Sequence, residues 1–130
     1  MSDTFTCFLV DDDIDDQEIF QTVLEGIAPD SNCVVAANGE AALQMLNEGA
    51  VSPDIIFLDL NMPLMNGHQF LFHISQLKMY QEIPIIVLTT SADLNTKASV
   101  MNSGAKDFVT KPDKFSEWER VLKPVIAKFL

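Results

Sequence analysis

The stretch "DIIFLDLNMPLMNG", residues 54–67, decides the fold. From Ile55 to Leu58 every position is apolar, with no alternation, and the run stops on Asp59. A strand with one wet face alternates apolar and polar residues, whereas a parallel strand covered on both faces reads as a continuous apolar run. Four further runs are read as strands: "FTCFLV" (5–10), "CVVAA" (33–37), "IPIIVLTT" (83–90) and "DFVT" (107–110). Most of them are continuous as well.

Helical patterns fill the gaps. "IDDQEIFQTVLEGI" puts Ile14, Ile19, Val23, Leu24 and Ile27 roughly on one stripe. "GEAALQMLNEG" does so with Ala42, Leu43, Met45 and Leu46, and Gly49 suits a helix end. "GHQFLFHISQL" offers Phe70, Leu71, Ile74 and Leu77, and "DLNTKASVMNSGA" starts at a capping Asp93 and stops at Gly104. The last, "KFSEWERVLKPVIAKFL", carries Phe115, Trp118, Val121, Leu122, Val125 and Phe129. Pro124 lies inside it, where a missing N–H and a crowded carbonyl predict a kink or a break.

The chain order is therefore (βα)5, and crossovers between parallel strands are right-handed in nearly all cases. Runs 1, 3 and 4 are the most apolar and belong in the middle of the sheet. The shorter runs 2 and 5 suit its edges. The order 2-1-3-4-5 satisfies this, giving a doubly wound, flavodoxin-like α/β fold with helices on both faces. The 130 residues make one domain, 1–130, with no repeat, low-complexity segment or linker. That domain is expected to use the whole chain and leave no room for a separate output domain.

Apolar residues make up 48% of the chain, enough for a core, and the net charge is −11. Such a balance argues against direct nucleic-acid binding and against adhesion to anionic membranes. It favours cations or partners with basic faces. No run approaches the ~20 apolar residues that span a bilayer. "MSDTFTCFLVDDD" has neither the basic start nor the long apolar stretch of a signal peptide. A cytoplasmic protein is expected, with Cys7 and Cys33 as reduced core thiols.

In an open α/β sheet, ligands bind beyond the C-terminal strand ends at the switch point, here between strands 1 and 3. Strand 1 ends in Asp11-Asp12-Asp13, strand 3 in Asp59, strand 4 in Thr89-Thr90-Ser91 and strand 5 in Thr110-Lys111-Pro112. Any one of these could be an ordinary polar strand end. Acids, hydroxyl and lysine from four strands facing one point is a different matter. Neighbouring strands lie ~4.8 Å apart, so the strand 1 acids sit beside Asp59, and a lysine can cross much of two such spacings. Clustered carboxylates repel one another at neutral pH, and a divalent cation relieves that cost. Oxygen ligands suit Mg²⁺. A carboxylate beside a metal, a lysine and a hydroxyl is equipped to accept a phosphoryl group.

With "LVDDD", "DIIFLDLNMPLMNG", "IPIIVLTTSA" and "GAKDFVTKP" in this order, the chain resembles a response-regulator receiver domain of the CheY-like family, of the stand-alone type, over essentially its whole length. The resemblance implies two-component signalling. Asp59 would be the phosphoacceptor, Asp12 a direct ligand of Mg²⁺ (or Mn²⁺), and Asp11 a ligand mainly through a metal-bound water. Asn61 would give the metal its backbone carbonyl. Thr89 would bind a phosphoryl oxygen, and Lys111 would pair with the phosphate and the acids. Thr89 and Phe108 would form the switch that remodels the face of helix 4, strand 5 and helix 5. Asn61 and Thr90 flank the path of the attacking water and would set the phosphoryl lifetime. A cis peptide bond is implied before Pro112. The donor would be a sensor histidine kinase or a histidine phosphotransfer protein, and the output a downstream protein. The receiver would be a monomer or a weak, phosphorylation-dependent dimer.

The chain departs from the family pattern in three places. Phe108 lacks the hydroxyl of a tyrosine, Asp113 stands where an apolar residue is usual, and Pro124 bears on helix 5.

Rival readings fit the residues less well. A calcium loop starting at Asp11 would need glycine at its sixth position and glutamate at its twelfth; Asp16 and Thr22 stand there. A haloacid-dehalogenase-like phosphatase carries its nucleophile after the first core strand in Asp-x-Asp; here Asp59 follows the third, in Asp-Leu-Asn. A receiver that only binds partners is a further alternative, and the presence of Asp12, Asp59, Thr89 and Lys111 argues against it. His68 and His73 are five apart and share no helix face, so they read as surface or half-buried residues. Met62 and Met65 read as packing over the site. Of the five aspartates in 11–16, Asp11 and Asp12 are assigned to the pocket, Asp13 to the cap of helix 1, and Asp15 and Asp16 to its first turn, where the dipole favours anions. A strand one residue longer would shift the pair to Asp12 and Asp13.

Overall fold

The apolar runs pair as one parallel sheet in a computed structural model of the chain, which describes residues 4–62, 64–90 and 93–130. Its strands are β1 (Thr6–Val10), β2 (Asn32–Ala36), β3 (Ile55–Leu58), β4 (Ile85–Thr89) and β5 (Asp107–Thr110). The order is β2-β1-β3-β4-β5, as expected, with the switch between β1 and β3. Ser91, expected at the end of strand 4, lies outside the described residues. Among the described residues, five helices alternate with the strands: α1 (Ile14–Ile27), α2 (Gly39–Asn47), α3 (Gly67–Ser75), α4 (Leu94–Asn102) and α5 (Phe115–Phe129). A 3-10 turn, Lys78–Tyr80, precedes β4. No helix among the described residues is long and apolar enough to cross a membrane.

The two-residue period of each strand sorts the core into two layers. Phe8, Val10, Ile56, Leu58, Ile85 and Val87 point to one face, where Ala42, Leu46, Phe70, Leu71, Ile74 and Val100 of α2, α3 and α4 cover them. Cys7, Leu9, Ile55, Phe57, Ile86 and Leu88 point to the other, against Phe20, Val23, Leu24, Trp118, Leu122 and Ile126 of α1 and α5. The rings of Phe20 and Phe57 meet edge to face at 4.9 Å. Burial of β3 on both faces is why its sequence shows no alternation.

Helices α1 to α4 each start at a side-chain cap, whereas Lys114 before α5 makes none. Asp13 accepts from Asp16 N–H, Asn38 from Ala41 N–H, and Asn66 from Gln69 N–H in a full capping box. Asp93 accepts from Asn95 N–H at the start of α4. Gly104, just beyond α4, has φ +115°, a conformation a side chain would strain.

Three expectations are corrected. α5 runs unbroken from Phe115 to Phe129 through Pro124. Pro124 and Arg120, whose carbonyl loses its helical partner, are both exposed, so water can satisfy that carbonyl. Ile14 and Phe115, read as part of the apolar stripes of their helices, are 66% and 56% exposed. Each is the first residue of its helix, at the sheet edge where the strands end, so its side chain projects past the core. The Lys111–Pro112 bond is trans, since no described peptide bond is cis; trans is favoured by about 0.5–1 kcal/mol even before proline.

His68 and His73 are exposed on α3. Met62 is buried and Met65 packs against the same layer. Cys7 and Cys33 are free and stand opposite each other in the β1–β2 register.

Candidate functional site

The strand register delivers the polar residues to one point. Val10 pairs with Leu58, so the next residues, Asp11 and Asp59, leave the sheet side by side. Asp11 N–H still donates to Ala36 O at 3.0 Å and Asp59 N–H to Val10 O at 2.9 Å, which fixes both backbones at the sheet edge. Thr89 pairs with Thr110, and the following Lys111 N–H donates to Thr89 O at 2.7 Å. Asp11, Asp59, Thr89 and Lys111 are the buried polar residues among those described.

Of the residues assigned from sequence, Asp11, Asp12, Asp59 and Lys111 meet at one point. One carboxylate oxygen each from Asp11, Asp12 and Asp59 lies within 4.8 Å of the others. The alternative register, Asp12 with Asp13, does not occur, because Asp13 is spent as the α1 cap. Lys111 Nζ lies 2.8 Å from Asp11 Oδ2 and 3.7 Å from Asp59 Oδ2. Asp12 is exposed to solvent while Asp11 is buried. Asp11 is also busier: its Oδ1 accepts from Asp13 N–H at 3.0 Å and its carbonyl from Gln17 Nε2 at 2.6 Å. Asn61 is exposed beside Asp59, whose Oδ1 lies 3.4 Å from Asn61 N–H. Thr90 is exposed at the rim. Phe108 is half-buried and packs on the α2–α3–α4 layer, paired in register with Val87, two residues before Thr89.

One site residue was not legible from the sequence alone. Asp16, read as helix-start chemistry, reaches Lys111 Nζ at 2.8 Å. Its place three residues after the Asp13 cap, on the turn nearest the strand ends, is the one signal that could have suggested it.

Burial is the largest influence on the acids. It pushes Asp59 up to about 6, with Lys111 opposing and the neighbouring Asp11 and Asp12 charges adding to the rise. Burial also raises Asp11, against the hydrogen bonds from Lys111 and Asp13 N–H. For Lys111, burial pulls the other way, but the hydrogen bonds to Asp11 and Asp16 outweigh it and the ammonium is held charged. A pocket with more carboxylates than cations, one of them exposed, has the hard oxygen donors that Mg²⁺ or Mn²⁺ takes.

Gly67 sets the height of Asp59. A Cβ at Gly67 would come within 2.5 Å of Asp59 O and 2.6 Å of Leu60 Cα, both backbone atoms that cannot swing aside. Gly67 N–H donates to Leu60 O at 3.0 Å, so α3 starts in contact with the strand end. Gly67→Ala is expected to cost about 1–3 kcal/mol in urea unfolding, as an overpacked site does. An unchanged midpoint would show that α3 can retreat from Asp59 freely.

A family model for the response regulator receiver domain matches residues 7–123. The chain belongs to this family. The protein-glutamate methylesterase/protein-glutamine glutaminase of Treponema pallidum strain Nichols is 41% identical over 106 residues, 80% of this chain and 25% of that protein. The phosphorylated cyanobacterial phytochrome response regulator RcpA has a TM-score of 0.90 at 25% identity, over 97% of this chain and 94% of that one. The Mn²⁺-bound form of response regulator Rcp1 has a TM-score of 0.85 at 26% identity, over 93% and 91%. This receiver spans about half or less of the length of the curated relatives it matches. It is the receiver part of two-component signalling that these comparisons share.

Proposed function

We propose that this receiver accepts a phosphoryl group on Asp59 and passes the change to a partner-binding surface made of α4, β5 and α5. The observation that carries the reading is the meeting of Asp59, Asp11, Asp12 and Lys111 at the switch point of a receiver fold. A carboxylate oxygen of Asp59 forms the bond to phosphorus while the P–N bond of a phosphohistidine breaks. The electron pair stays on the imidazole nitrogen, which takes up a proton. Lys111 offsets charge on the phosphoryl oxygens, and the Thr89 hydroxyl donates to one of them. Asp12 would hold Mg²⁺ or Mn²⁺ directly, with Asp59, the Asn61 carbonyl and, through water, Asp11. The cation when bound neutralises carboxylate and phosphoryl oxygens together.

The acyl phosphate is lost when water attacks phosphorus and the Asp59 carboxylate leaves, giving inorganic phosphate. Asn61 and Thr90, both exposed at the rim, would control that water. Thr89 and Phe108 would carry the signal: a hydroxyl drawn to the phosphoryl group vacates space that the half-buried Phe108 ring can enter. Lacking a hydroxyl, that ring reports by packing alone. The donor would be a sensor histidine kinase or histidine phosphotransfer protein in the cytoplasm, and the product a monomer or weak dimer that binds a downstream protein. The receiver promotes its own phosphorylation and is not otherwise an enzyme. A phosphatase working on external phosphomonoesters would instead turn over steadily.

Incubation with a small acyl phosphate, followed by intact mass, tests this. One phosphate-sized gain is expected, fast with Mg²⁺ and at least tenfold slower after chelation. Uptake indifferent to divalent cations would contradict the acidic pocket's role.

A further inference from the structure

We infer that Asp16 is a positioning residue for Lys111, a second anchor that aims the lysine at the phosphoryl group. This rests on the reading of Asp59 as the acceptor. The backbone of Asp16 is already fixed by the Asp13 cap, which accepts from its N–H at 3.1 Å. Its carboxylate is therefore not needed for capping, and it crosses to a lysine 95 residues along the chain. Its side chain is 23% exposed, and the lysine it meets is 6% exposed, so this is not an ordinary surface pair.

An ammonium has three donors. Two are taken at 2.8 Å, by Asp11 Oδ2 and Asp16 Oδ2. The third faces Asp59 Oδ2 at 3.7 Å, beyond hydrogen-bond reach. A phosphoryl group bonded to Asp59 brings oxygens outward from that carboxylate, into the gap. With Asp11 alone, the long lysine side chain could turn about a single contact or fall directly onto Asp59. With Asp11 and Asp16 together, the free N–H is held where the new oxygens arrive, before they arrive. Preorganised donors of this kind need no rearrangement when charge appears. Asp16 sits in the first turn of α1, where the helix dipole supports its negative charge and so the strength of the anchor.

The test uses the full chain at saturating Mg²⁺, with beryllofluoride as the phosphoryl mimic and fluorine NMR to read its binding. Asp16→Ala is expected to weaken binding roughly 3–10-fold, the scale of one charge-assisted hydrogen bond partly lost. Asp16→Glu keeps the carboxylate and is expected to recover most of that loss. In a Lys111→Ala background, Asp16→Ala should change nothing further, a coupling that a merely structural role would not show. Should Asp16→Ala fold poorly, Asp16→Asn removes the charge at the same volume and is expected to weaken binding in the same direction. Undiminished or tighter binding by Asp16→Ala and Asp16→Asn, or an equal loss without Lys111, overturns the inference. If wild type itself fails to bind beryllofluoride with Mg²⁺, the acceptor reading fails instead.

Discussion

Lys111→Ala is expected to lower the unfolding free energy by about 3–5 kcal/mol at neutral pH and low divalent cation. Three carboxylates surround the ammonium, two at 2.8 Å and one at 3.7 Å. Asp11 and Asp59 are 1% and 6% exposed, so water cannot replace the lysine well. Removing one partner of a buried ion pair leaves the other charge desolvated and unmatched, which costs far more than the pair contributes. The loss should be smaller at millimolar Mg²⁺, because a cation that binds only the folded pocket stabilises it by mass action. It should also shrink as pH falls through about 6, where Asp59 takes up a proton and no longer needs a counter-charge. Urea titrations with and without Mg²⁺ measure both. A loss below about 1 kcal/mol in the absence of Mg²⁺ would show that the acids are satisfied without Lys111.

Asp59→Asn is expected to do the opposite, raising stability by about 2 kcal/mol at pH 7 in the absence of divalent cation. Burial holds Asp59 at about 6 in the folded protein, against about 3.9 in an unfolded chain. A carboxyl with a raised folded pKa stabilises the fold only while it is protonated. That contribution is full below the unfolded value and is lost as pH rises through about 6. Asparagine has no proton to lose, so its advantage is complete above about 6 and fades as pH falls toward about 4. Thermal unfolding of both proteins between those limits checks the sign. A variant less stable than wild type at pH 7 would mean that Lys111 already compensates Asp59 in full. The site then trades stability for a reactive carboxylate, and the fold carries that cost until a cation binds.

Much of this was legible before any coordinate. The continuous runs at 55–58 and 85–89 identified buried parallel strands because both faces are covered, and the strand order followed from which runs were most apolar. Asp11, Asp12, Asp59, Thr89 and Lys111 were placed together because each ends a strand, and strand ends share an edge. What sequence could not show depended on distance along the chain or on local solvent. Asp16 looked like a helix-start acid, and that is true of its backbone; its side chain is claimed by Lys111, which periodicity near residue 16 does not encode. Ile14 and Phe115 fit an apolar stripe, yet a stripe says nothing about where the sheet edge cuts it. Pro124 lacks a helical donor on a solvent-facing turn, and the packed residues Leu122, Val125 and Ile126 on either side keep α5 continuous.

We propose that Asp59, and no other acid of the pocket, receives the phosphoryl group. An acyl phosphate is reduced by borohydride to the alcohol, which converts a phosphorylated aspartate into homoserine while free carboxylates are untouched. The protein should be treated with a small acyl phosphate and Mg²⁺, reduced, digested and sequenced by mass. Homoserine at position 59 alone, and none in Asp59→Asn, is the predicted result. Homoserine at Asp11, Asp12 or Asp16, or none anywhere despite phosphate uptake, would contradict it.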